Sequence, residues 1–403
     1  MSTSPHPSDD APVRVEKVVA EGDGLGRLSD GRVVFVEGAL PGELVGIRVV
    51  KQSRDYARAE IAEILESNPQ RVEPPCPHVA QGCGGCDLQH ASLDLQRGVK
   101  VGIVRESLER LGRIAAPDVR TNFFSSLVGS RTTMRVARSS NGRAGLRRRR
   151  SHQVVRIDDC LVVRPELSEL VTGLSMSPDV DEVTARIGTA EGERGLWWEP
   201  SERAVTSDVS VDVMGGTGVV NERVRGRSFR VSMGSFFQSS PEAADLIVQA
   251  VAVAAGSPDE WPSGPFVDLY GGVGLFSALV PPADREVVVV EGNPLACADA
   301  IVNLSDRSAR VVASRVEDWS PEAAAIVVAD PARDGLRARA VDMVVATETP
   351  VLVLVSCDPA SLGRDARLLA DSGFEFVWSE VLDPFPHTHH VEVVSRFVRH
   401  GRL

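Results

Sequence analysis

The chain has 403 residues, a net charge of −12, 43% hydrophobic residues and 25% charged residues. This length exceeds one ordinary hydrophobic core, so the sequence predicts about two or three domains. It holds no apolar run of about 18 residues, which excludes a membrane-spanning helix. Residues 1–11 are polar and acidic and predict a disordered tail rather than a signal peptide. Six cysteines without that signal indicate metal binding or catalysis in a reducing compartment, so we expect a cytoplasmic protein.

Positive charge is concentrated in one stretch. From Arg97 to Cys160 there are fifteen Arg and Lys against five Asp and Glu, a local charge of +10 that leaves −22 for the rest of the chain. A basic block in an acidic protein is typical of a surface that binds phosphates. Nucleic acid is therefore a candidate partner, although a solvated charged face would have the same composition.

Residues 12–66 predict a small all-β unit. Three runs rich in β-branched residues are separated by the turn sequences GDGLG, SDG and LPGE. Closely spaced strands with such turns favour a five-stranded barrel of the OB type, a shape that often holds nucleic acid. A purely structural barrel is the alternative. A proline-bearing linker follows.

The middle of the chain, 67–234, mixes short strands and turns. Apolar residues at helical spacing predict a helix near 91–113 that ends at a glycine. Residues 131–157 predict a hairpin of two strands joined at SSNGRAG. Eight arginines decorate this hairpin, namely Arg131, Arg135, Arg138, Arg143, Arg147, Arg148, Arg149 and Arg150.

Strands and helices alternate in the last part of the chain, 235–403. Five apolar runs have the length and β-branched content of buried strands, and the segments between them are long enough for helices. Such alternation predicts a parallel sheet with helices on both faces. Two further strands are expected in FEFVWSEVLD and HVEVVSRFVR.

The first of these strands runs into a glycine-rich loop that favours a nucleotide-type ligand. Glycines allow the backbone to turn closely beneath a ligand, and an acid about twenty residues later can accept hydrogen bonds from ribose hydroxyls. NAD and S-adenosylmethionine both fit, although the spacing is not that of a dinucleotide fingerprint. The residues concerned are Asp268, Tyr270, Gly271, Gly272, Gly274 and Glu291.

Two later strands end in residues that carry chemistry. Asp330 is followed by Pro-Ala-Arg, and Arg333 stands where methyltransferases that act on amines place an aromatic residue, so amine methylation is disfavoured. The next strand ends in Ser356-Cys357, which places a thiol in the same crevice. Cys357 is therefore a candidate nucleophile, with a buried inert thiol as the alternative.

A cysteine nucleophile beside a methyl donor solves one chemical problem. Carbon 5 of a pyrimidine is too weak a nucleophile to attack a sulfonium methyl group. A thiolate added at carbon 6 makes the ring an enolate with electron density on carbon 5. A base must then remove the carbon-5 proton, and Glu392 in DPFPHTHHVEVV is placed for that step.

Four other cysteines form a candidate metal site. Cys76, Cys83 and Cys86 lie close together in sequence, and Cys160 follows well downstream. Four thiolates bind either zinc or an iron–sulfur cluster, and the spacing alone does not separate these two.

Six motifs, in order, resemble those of the RNA 5-methyluridine (uracil-C5) methyltransferase family. They are CGGCDLQH, GSFFQ, DLYGGVGLFS, DPARDGL, SCDPASLGRD and FPHTHHVEVV. The resemblance implies a Rossmann-like class I methyltransferase domain at 235–403 and an OB-like TRAM β-barrel at 12–66. It also implies a central mixed α+β domain at 67–234 for the iron–sulfur cluster and RNA, with the helix near 91–113 packing on the catalytic domain.

The resemblance also implies a role for particular residues. Cys357 would be the nucleophile and Glu392 the base of a covalent mechanism. S-adenosylmethionine would be held by Gln238, Tyr270, Gly271, Gly272, Gly274, Glu291 and Asp330. A [4Fe–4S] cluster would be bound by Cys76, Cys83, Cys86 and Cys160. The substrate implied is ribosomal RNA of the 23S type in preference to transfer RNA, and no membrane or obligate protein partner is expected.

Three alternatives remain at this stage. A cytosine carbon-5 methyltransferase uses the same thiolate chemistry but needs contacts to the cytosine amine. A non-catalytic RNA-binding protein with a metal cluster would leave the glycine loop without a ligand. An NAD oxidoreductase would leave Cys357, Glu392 and the arginines unexplained.

Overall fold

The computed structural model describes residues 11–123 and 128–401. Residues 1–10 of the expected tail lie outside these ranges. No helix within them is both long enough and apolar enough to cross a membrane.

The first unit is a closed β-barrel. Strands β1 and β2 belong to one continuous segment, which pairs with β5 through β1 and with β3 through β2. The six strands therefore form the five segments of the predicted barrel. Alternate side chains such as Val34 and Val36 point into its core, as the pleat of a strand requires. The strands are β1 Val13–Arg14, β2 Lys17–Val18, β3 Gly24–Arg27, β4 Val33–Glu37, β5 Leu44–Gln52 and β6 Tyr56–Glu66.

A six-stranded sheet forms the central unit, with the order β10-β9-β8-β12-β13-β15. Two short antiparallel pairs, β11 with β14 and β16 with β17, accompany it. Its elements are β8 Thr133–Arg138, β9 Ala144–Arg147, β10 Val154–Arg156, α3 Pro165–Thr172, β11 Leu174–Met176, β12 Glu182–Ile187, β13 Arg194–Trp197, β14 Val205–Ser207, β15 Val213–Met214, β16 Val219–Val224 and β17 Arg227–Ser232. The cysteine-bearing segment before it contains α1 Pro77–Ala80.

The third unit is an eight-stranded sheet with the order β20-β19-β18-β21-β22-β24-β23-β7. The five predicted buried strands, β18 to β22, are parallel. Apolar layers cover both faces of this sheet. The elements are α4 Pro241–Ala255, β18 Phe266–Leu269, α5 Leu275–Leu279, β19 Val287–Glu291, α6 Pro294–Asn303, β20 Ala309–Ala313, β21 Ile326–Ala329, α7 Arg337–Ala346, β22 Val351–Ser356, α8 Pro359–Asp371, β23 Phe374–Leu382 and β24 Glu392–Arg399, with 3-10 turns at Pro258–Glu260 and Val316–Asp318.

Two elements from the middle of the chain also belong to this unit, a helix on the sheet and its edge strand. They are α2 Leu93–Arg110 and β7 Val119–Asn122, and β7 pairs in parallel with β23. Helix α2 lies against α8 so closely that a Cβ on Gly363 would be 2.5 Å from the carbonyl oxygen of Ser107. The helix expected near 91–113 thus begins after the cap residue Ser92 and ends at Arg110. We therefore propose that the catalytic unit comprises 93–122 together with 235–403.

The arginine hairpin forms at the predicted place, but two of its arginines have a different role. Strands β8 and β9 are antiparallel, and β10 continues the sheet. Beyond β9, Arg149 and Arg150 make ion pairs of 2.9 and 2.7 Å with Asp23 of the barrel. Because the Asp23 carboxylate is almost fully buried, it requires a positive partner. These two arginines thus join the barrel to the central unit, whereas the charge count assigned them to a phosphate-binding face.

Candidate active site

The turn between β18 and α5 forms the glycine-rich loop. Asp268, at the end of β18, is fully buried, and its Oδ2 accepts hydrogen bonds from the Ser277 amide (3.1 Å) and hydroxyl (2.8 Å). Burial raises the pKa of this carboxyl to about 7. Gly272 and Gly274 have φ angles of +54° and +87°, which side chains disfavour, so glycine is needed at both positions.

Glu291 lies at the end of β19 and faces this loop. Its Oε2 accepts from the Gly272 amide at 2.9 Å, and its Oε1 accepts from the Asn293 amide at 2.6 Å. The sequence predicts this acid as a ribose acceptor. The structure shows that it fixes the loop, and each oxygen keeps a lone pair that a ligand could use.

A cavity of about 40 Å³ lies beside the loop, at the carboxyl ends of β18 and β21. Strand order reverses between these strands, which is where α/β sheets bind their ligands. The structure brings five of the seven predicted cofactor residues to its wall. Gly274 and Glu291 are not among the lining residues, and Glu291 acts there through Gly272. The wall comprises Phe236, Phe237, Gln238, Tyr270, Gly271, Gly272, Val273, Leu275, Phe276 and Asp330.

The predicted nucleophile and base are neighbours at the same sheet edge. Cys357 follows β22 directly, and Glu392 is the first residue of the antiparallel strand β24. The register pairs Ser356 with Val393, so the next position along each strand carries Cys357 and Glu392. Glu392 is 4% exposed, and Cys357 is partly exposed. The structure thus places a reachable thiol beside a buried carboxyl group.

The surroundings of this sheet edge favour the neutral forms of Cys357, Asp330 and Glu392. Burial, and then the charges of Glu392 and Asp330, raise the pKa of the Cys357 thiol to about 12. Burial raises the pKa of Asp330 to about 7. Burial and the charge of Asp330 raise the pKa of Glu392 well above its usual value. Burial in this crevice therefore favours the neutral thiol of Cys357 and the protonated form of Glu392.

Two other residues near this edge, Asp358 and His390, make contacts that stabilise the fold. The Asp358 side chain accepts from the Ser361 amide at 2.7 Å and so caps α8. His390 packs edge-on against Phe385, and burial lowers its pKa to about 4. These contacts make Asp358 and His390 weaker candidates for a general base than Glu392.

The four predicted metal-binding cysteines line a second cavity, of about 190 Å³. Burial raises the pKa of Cys83, Cys86 and Cys160. Across residues 11–123 and 128–401, no three His, Cys, Asp or Glu side chains come close enough to hold a single metal ion. The four cysteines thus line the wall of a cavity, and their side chains do not meet at a single position.

Arg131 belongs to the predicted basic hairpin, but the structure places it in the wall of the cysteine cavity. Its Nε is shut off from solvent and makes no hydrogen bond within the described part of the chain. Its guanidinium carbon lies 5.4 Å from the centre of the Phe385 ring. No local signal separates this arginine from its exposed neighbours, because only the fold determines which arginine is buried.

The chain is similar to known proteins in its first domain and over nearly its whole length. Residues 11–62 match the TRAM domain. An RNA methyltransferase of Streptomyces avermitilis is 34% identical over 95% of this chain and 96% of its own length. The 23S rRNA (uracil(1939)-C(5))-methyltransferase RlmD of Chromohalobacter salexigens is 31% identical over 96% of this chain and 88% of its own length.

A solved structure shares the fold. Pyrococcus abyssi tRNA (uracil-54, C5)-methyltransferase in complex with S-adenosyl-L-homocysteine superposes with a TM-score of 0.70 at 23% identity, over 96% of this chain and 100% of the other. Fold and crevice define a class I methyltransferase with an N-terminal TRAM barrel. The chain belongs to the RNA uracil-C5 methyltransferase family.

Proposed function

We propose that this protein transfers the methyl group of S-adenosylmethionine to carbon 5 of a uridine in ribosomal RNA. The adjacency of Cys357 and Glu392 carries this proposal, together with Asp330, which lines the cavity of the glycine loop and whose charge acts on both groups. The relatives named for 23S rRNA and the TRAM domain support an RNA substrate of that type. The cytoplasm, where ribosomal RNA lies, is the expected location.

The reaction proceeds in three steps, namely addition of the thiolate, methyl transfer and elimination. The Cys357 thiolate adds to carbon 6, and the ring becomes an enolate with its electron pair on carbon 5. Carbon 5 attacks the sulfonium methyl group that S-adenosylmethionine supplies, and S-adenosylhomocysteine leaves. Glu392 then takes the proton from carbon 5, the carbon 5–carbon 6 double bond re-forms, and the thiolate departs.

The raised pKa values of Cys357 and Glu392 in the free protein indicate what substrate binding must change. Cys357 has to lose a proton before it can add, and Glu392 has to be ionised before it can accept one. The positive charge of Arg333, which lies exposed on the loop after Asp330, acts to lower the pKa of Cys357. We assign the formation of the thiolate to the RNA complex.

Seven residues are proposed to hold S-adenosylmethionine. The loop backbone at Gly271, Gly272 and Gly274 allows close approach, while Glu291 supplies acceptors for ribose hydroxyls. Gln238, Tyr270 and Asp330 form the remaining wall of the cavity.

The substrate is tested by mapping modified nucleosides. Tritiated S-adenosylmethionine is incubated with the protein and with transcripts of 23S rRNA segments or of transfer RNAs, and the products are digested to nucleosides. Label in 5-methyluridine from the ribosomal transcript is expected. Label in 5-methylcytidine, or in the transfer RNA alone, would contradict the proposal.

We further propose that Cys76, Cys83, Cys86 and Cys160 bind a [4Fe–4S] cluster. A zinc ion needs its four ligands within about 2.3 Å of one point, whereas a cluster of iron and sulfide fills a volume. Four thiols around a cavity of about 190 Å³ match the second demand. The Arg131 guanidinium in the cavity wall offers a positive partner for a negatively charged cluster. The role of the cluster is structural.

Anaerobically purified protein is expected to be brown, with a broad visible absorption that Cys86→Ser removes. The reason is that the Cys86 thiol lines the cavity, where burial raises its pKa to about 11, and its loss opens one coordination position. Iron and acid-labile sulfide are measured together with zinc. The control is Cys297→Ser, a buried cysteine of α6 away from the cavity. Colourless protein with one equivalent of zinc would overturn the assignment.

Arg148 and Arg150 are expected to differ in their effect on RNA binding. Arg148 is exposed and has no carboxylate within ion-pair distance among the described residues, while Arg150 is engaged with Glu21 and Asp23. Arg148→Gln should therefore reduce the slope of log K against log salt by about 0.7–0.9, the value of one phosphate contact. Arg150→Gln should leave the slope unchanged and lower the unfolding temperature. Equal slopes for wild type and Arg148→Gln would place Arg148 outside the RNA surface.

A further inference from the structure

The loop that leads to the catalytic base, residues 383–391, is held by other parts of the chain. It connects β23 to β24 and ends at Glu392. Asp383, His387 and Thr388 are each less than 10% exposed, although no regular element covers this stretch. A loop without internal ladder hydrogen bonds takes its shape from its partners, so these partners also determine where Glu392 lies.

Helix α2 supplies the first set of partners. The fully buried Lys100 donates from Nζ to Oδ1 of Asp383 at 2.5 Å and to the Phe385 carbonyl at 2.9 Å. The buried Gln96 accepts from the His387 amide at 2.8 Å. These contacts fix the first half of the loop.

The cysteine-bearing segment supplies the second set. The Leu88 amide donates to the His387 carbonyl at 2.9 Å. Asp87 accepts from the His389 amide at 2.9 Å through Oδ1, and its Oδ2 pairs with Nδ1 of the His389 ring. Asp87 follows Cys86 directly, so a shift of the cysteine segment moves a partner of the loop three residues before Glu392.

The β-barrel also packs against the Asp87 carboxylate. A Cβ on Gly22 would lie 2.8 Å from Oδ2 of Asp87 and 3.4 Å from a guanidinium nitrogen of Arg149. Arg149 in turn donates to the Glu21 carbonyl at 2.5 Å. Barrel, hairpin and cysteine segment thus meet the active-site loop at Asp87.

We propose that Asp87 is a positioning residue that sets the place of Glu392 by holding the loop 383–391 against the cysteine-bearing segment. This inference rests on the proposed function, because it assigns Glu392 to proton removal. Asp87 touches no reacting atom. It acts through His389, and a displaced Glu392 impairs the last step while Cys357 still adds to the ring.

The test compares Asp87→Ala, Asp87→Asn and the control Asp94→Ala, which changes an exposed acid on the neighbouring first turn of α2. Turnover of Asp87→Ala should fall by about 100-fold, as expected for a misplaced catalytic group. A methylated, covalent RNA–protein adduct should accumulate on denaturing gels, as with Glu392→Gln. Asp87→Asn keeps an acceptor for the His389 amide and should recover most of the rate. Asp94→Ala should behave as wild type.

The outcomes separate this inference from the proposed function. An Asp87→Ala protein that loses turnover without accumulating adduct has lost folding or binding, and Asp87 is then not a positioning residue. If Asp87→Ala does not fold, His389→Ala removes the ring from a partly exposed position and should show the adduct with a smaller loss of rate. Absence of that adduct overturns the inference. Absence of the adduct in Glu392→Gln itself instead contradicts the proposed function.

Discussion

Replacing Cys357 by alanine is expected to lower methyl transfer to RNA by about 10⁴-fold or more and to abolish every covalent enzyme–RNA species. Loss of a catalytic nucleophile has effects on this order. Without the thiolate, carbon 5 never gains the electron density it needs to attack the methyl group. The measurement is transfer of tritium from S-adenosylmethionine to RNA, with denaturing electrophoresis of the protein mixed with 5-fluorouridine RNA. The wild type should be trapped there, because carbon 5 carries fluorine instead of the removable proton.

A matched control is available in Cys297→Ala. Cys297 is a buried cysteine of α6 whose thiol contacts the Glu291 carbonyl at 3.2 Å, away from β22. This variant should still form the 5-fluorouridine adduct. Residual methylation or adduct in Cys357→Ala would show that another group attacks carbon 6. Loss of the adduct in both variants would point to a general defect in donor or RNA binding.

The sequence predicted those parts of the fold that local patterns determine. The parallel strands β18 to β22 are continuous apolar runs, and their carboxyl ends meet at one sheet edge. Residues as far apart in sequence as Tyr270 and Asp330 could therefore be assigned to one crevice. The barrel and the hairpin were predictable for the same reason, since strand length and turn residues are local properties.

The parts that the sequence left open depend on long-range packing. The parallel pairing of β7 with β23 joins segments more than 250 residues apart, and no short pattern specifies it. The local charge did not indicate that Arg149 and Arg150 form ion pairs with Asp23. A count of charges gives no information about which residues are in contact. A lysine on a helix is ordinarily expected at the surface, yet Lys100 of α2 is fully buried and forms an ion pair with Asp383.

The same limit applies to the active site. The motifs predict Cys357 as the nucleophile and Glu392 as the base, and the register of β22 and β24 places these two residues side by side. The partners of the loop before Glu392 were not visible, although Asp87 lies inside the motif CGGCDLQH that supported the family resemblance. One motif therefore contains both the proposed cluster ligands Cys83 and Cys86 and the proposed positioning residue Asp87.

Glu392→Gln is expected to lower turnover by about 10²–10⁴-fold, the usual contribution of a general base, and to arrest the reaction after methyl transfer. Cys357 remains, so addition and methylation proceed, but the carbon-5 proton is not removed and the double bond cannot re-form. The arrested species should carry tritium from S-adenosylmethionine and survive denaturing electrophoresis. Cys357→Ala, by contrast, gives no adduct at all.

The fold should tolerate this change because glutamine resembles the protonated carboxyl group. The pKa of Glu392 is raised in the folded protein, so between its unfolded and folded values the native state binds more protons than the unfolded state. The contribution of Glu392 to stability therefore falls as pH rises through that window, and Glu392→Gln removes this loss. The variant should unfold at the same temperature as wild type or higher at pH 8, with unchanged affinity for S-adenosylmethionine. Normal turnover, or an unmethylated adduct alone, would assign proton removal to a group other than Glu392.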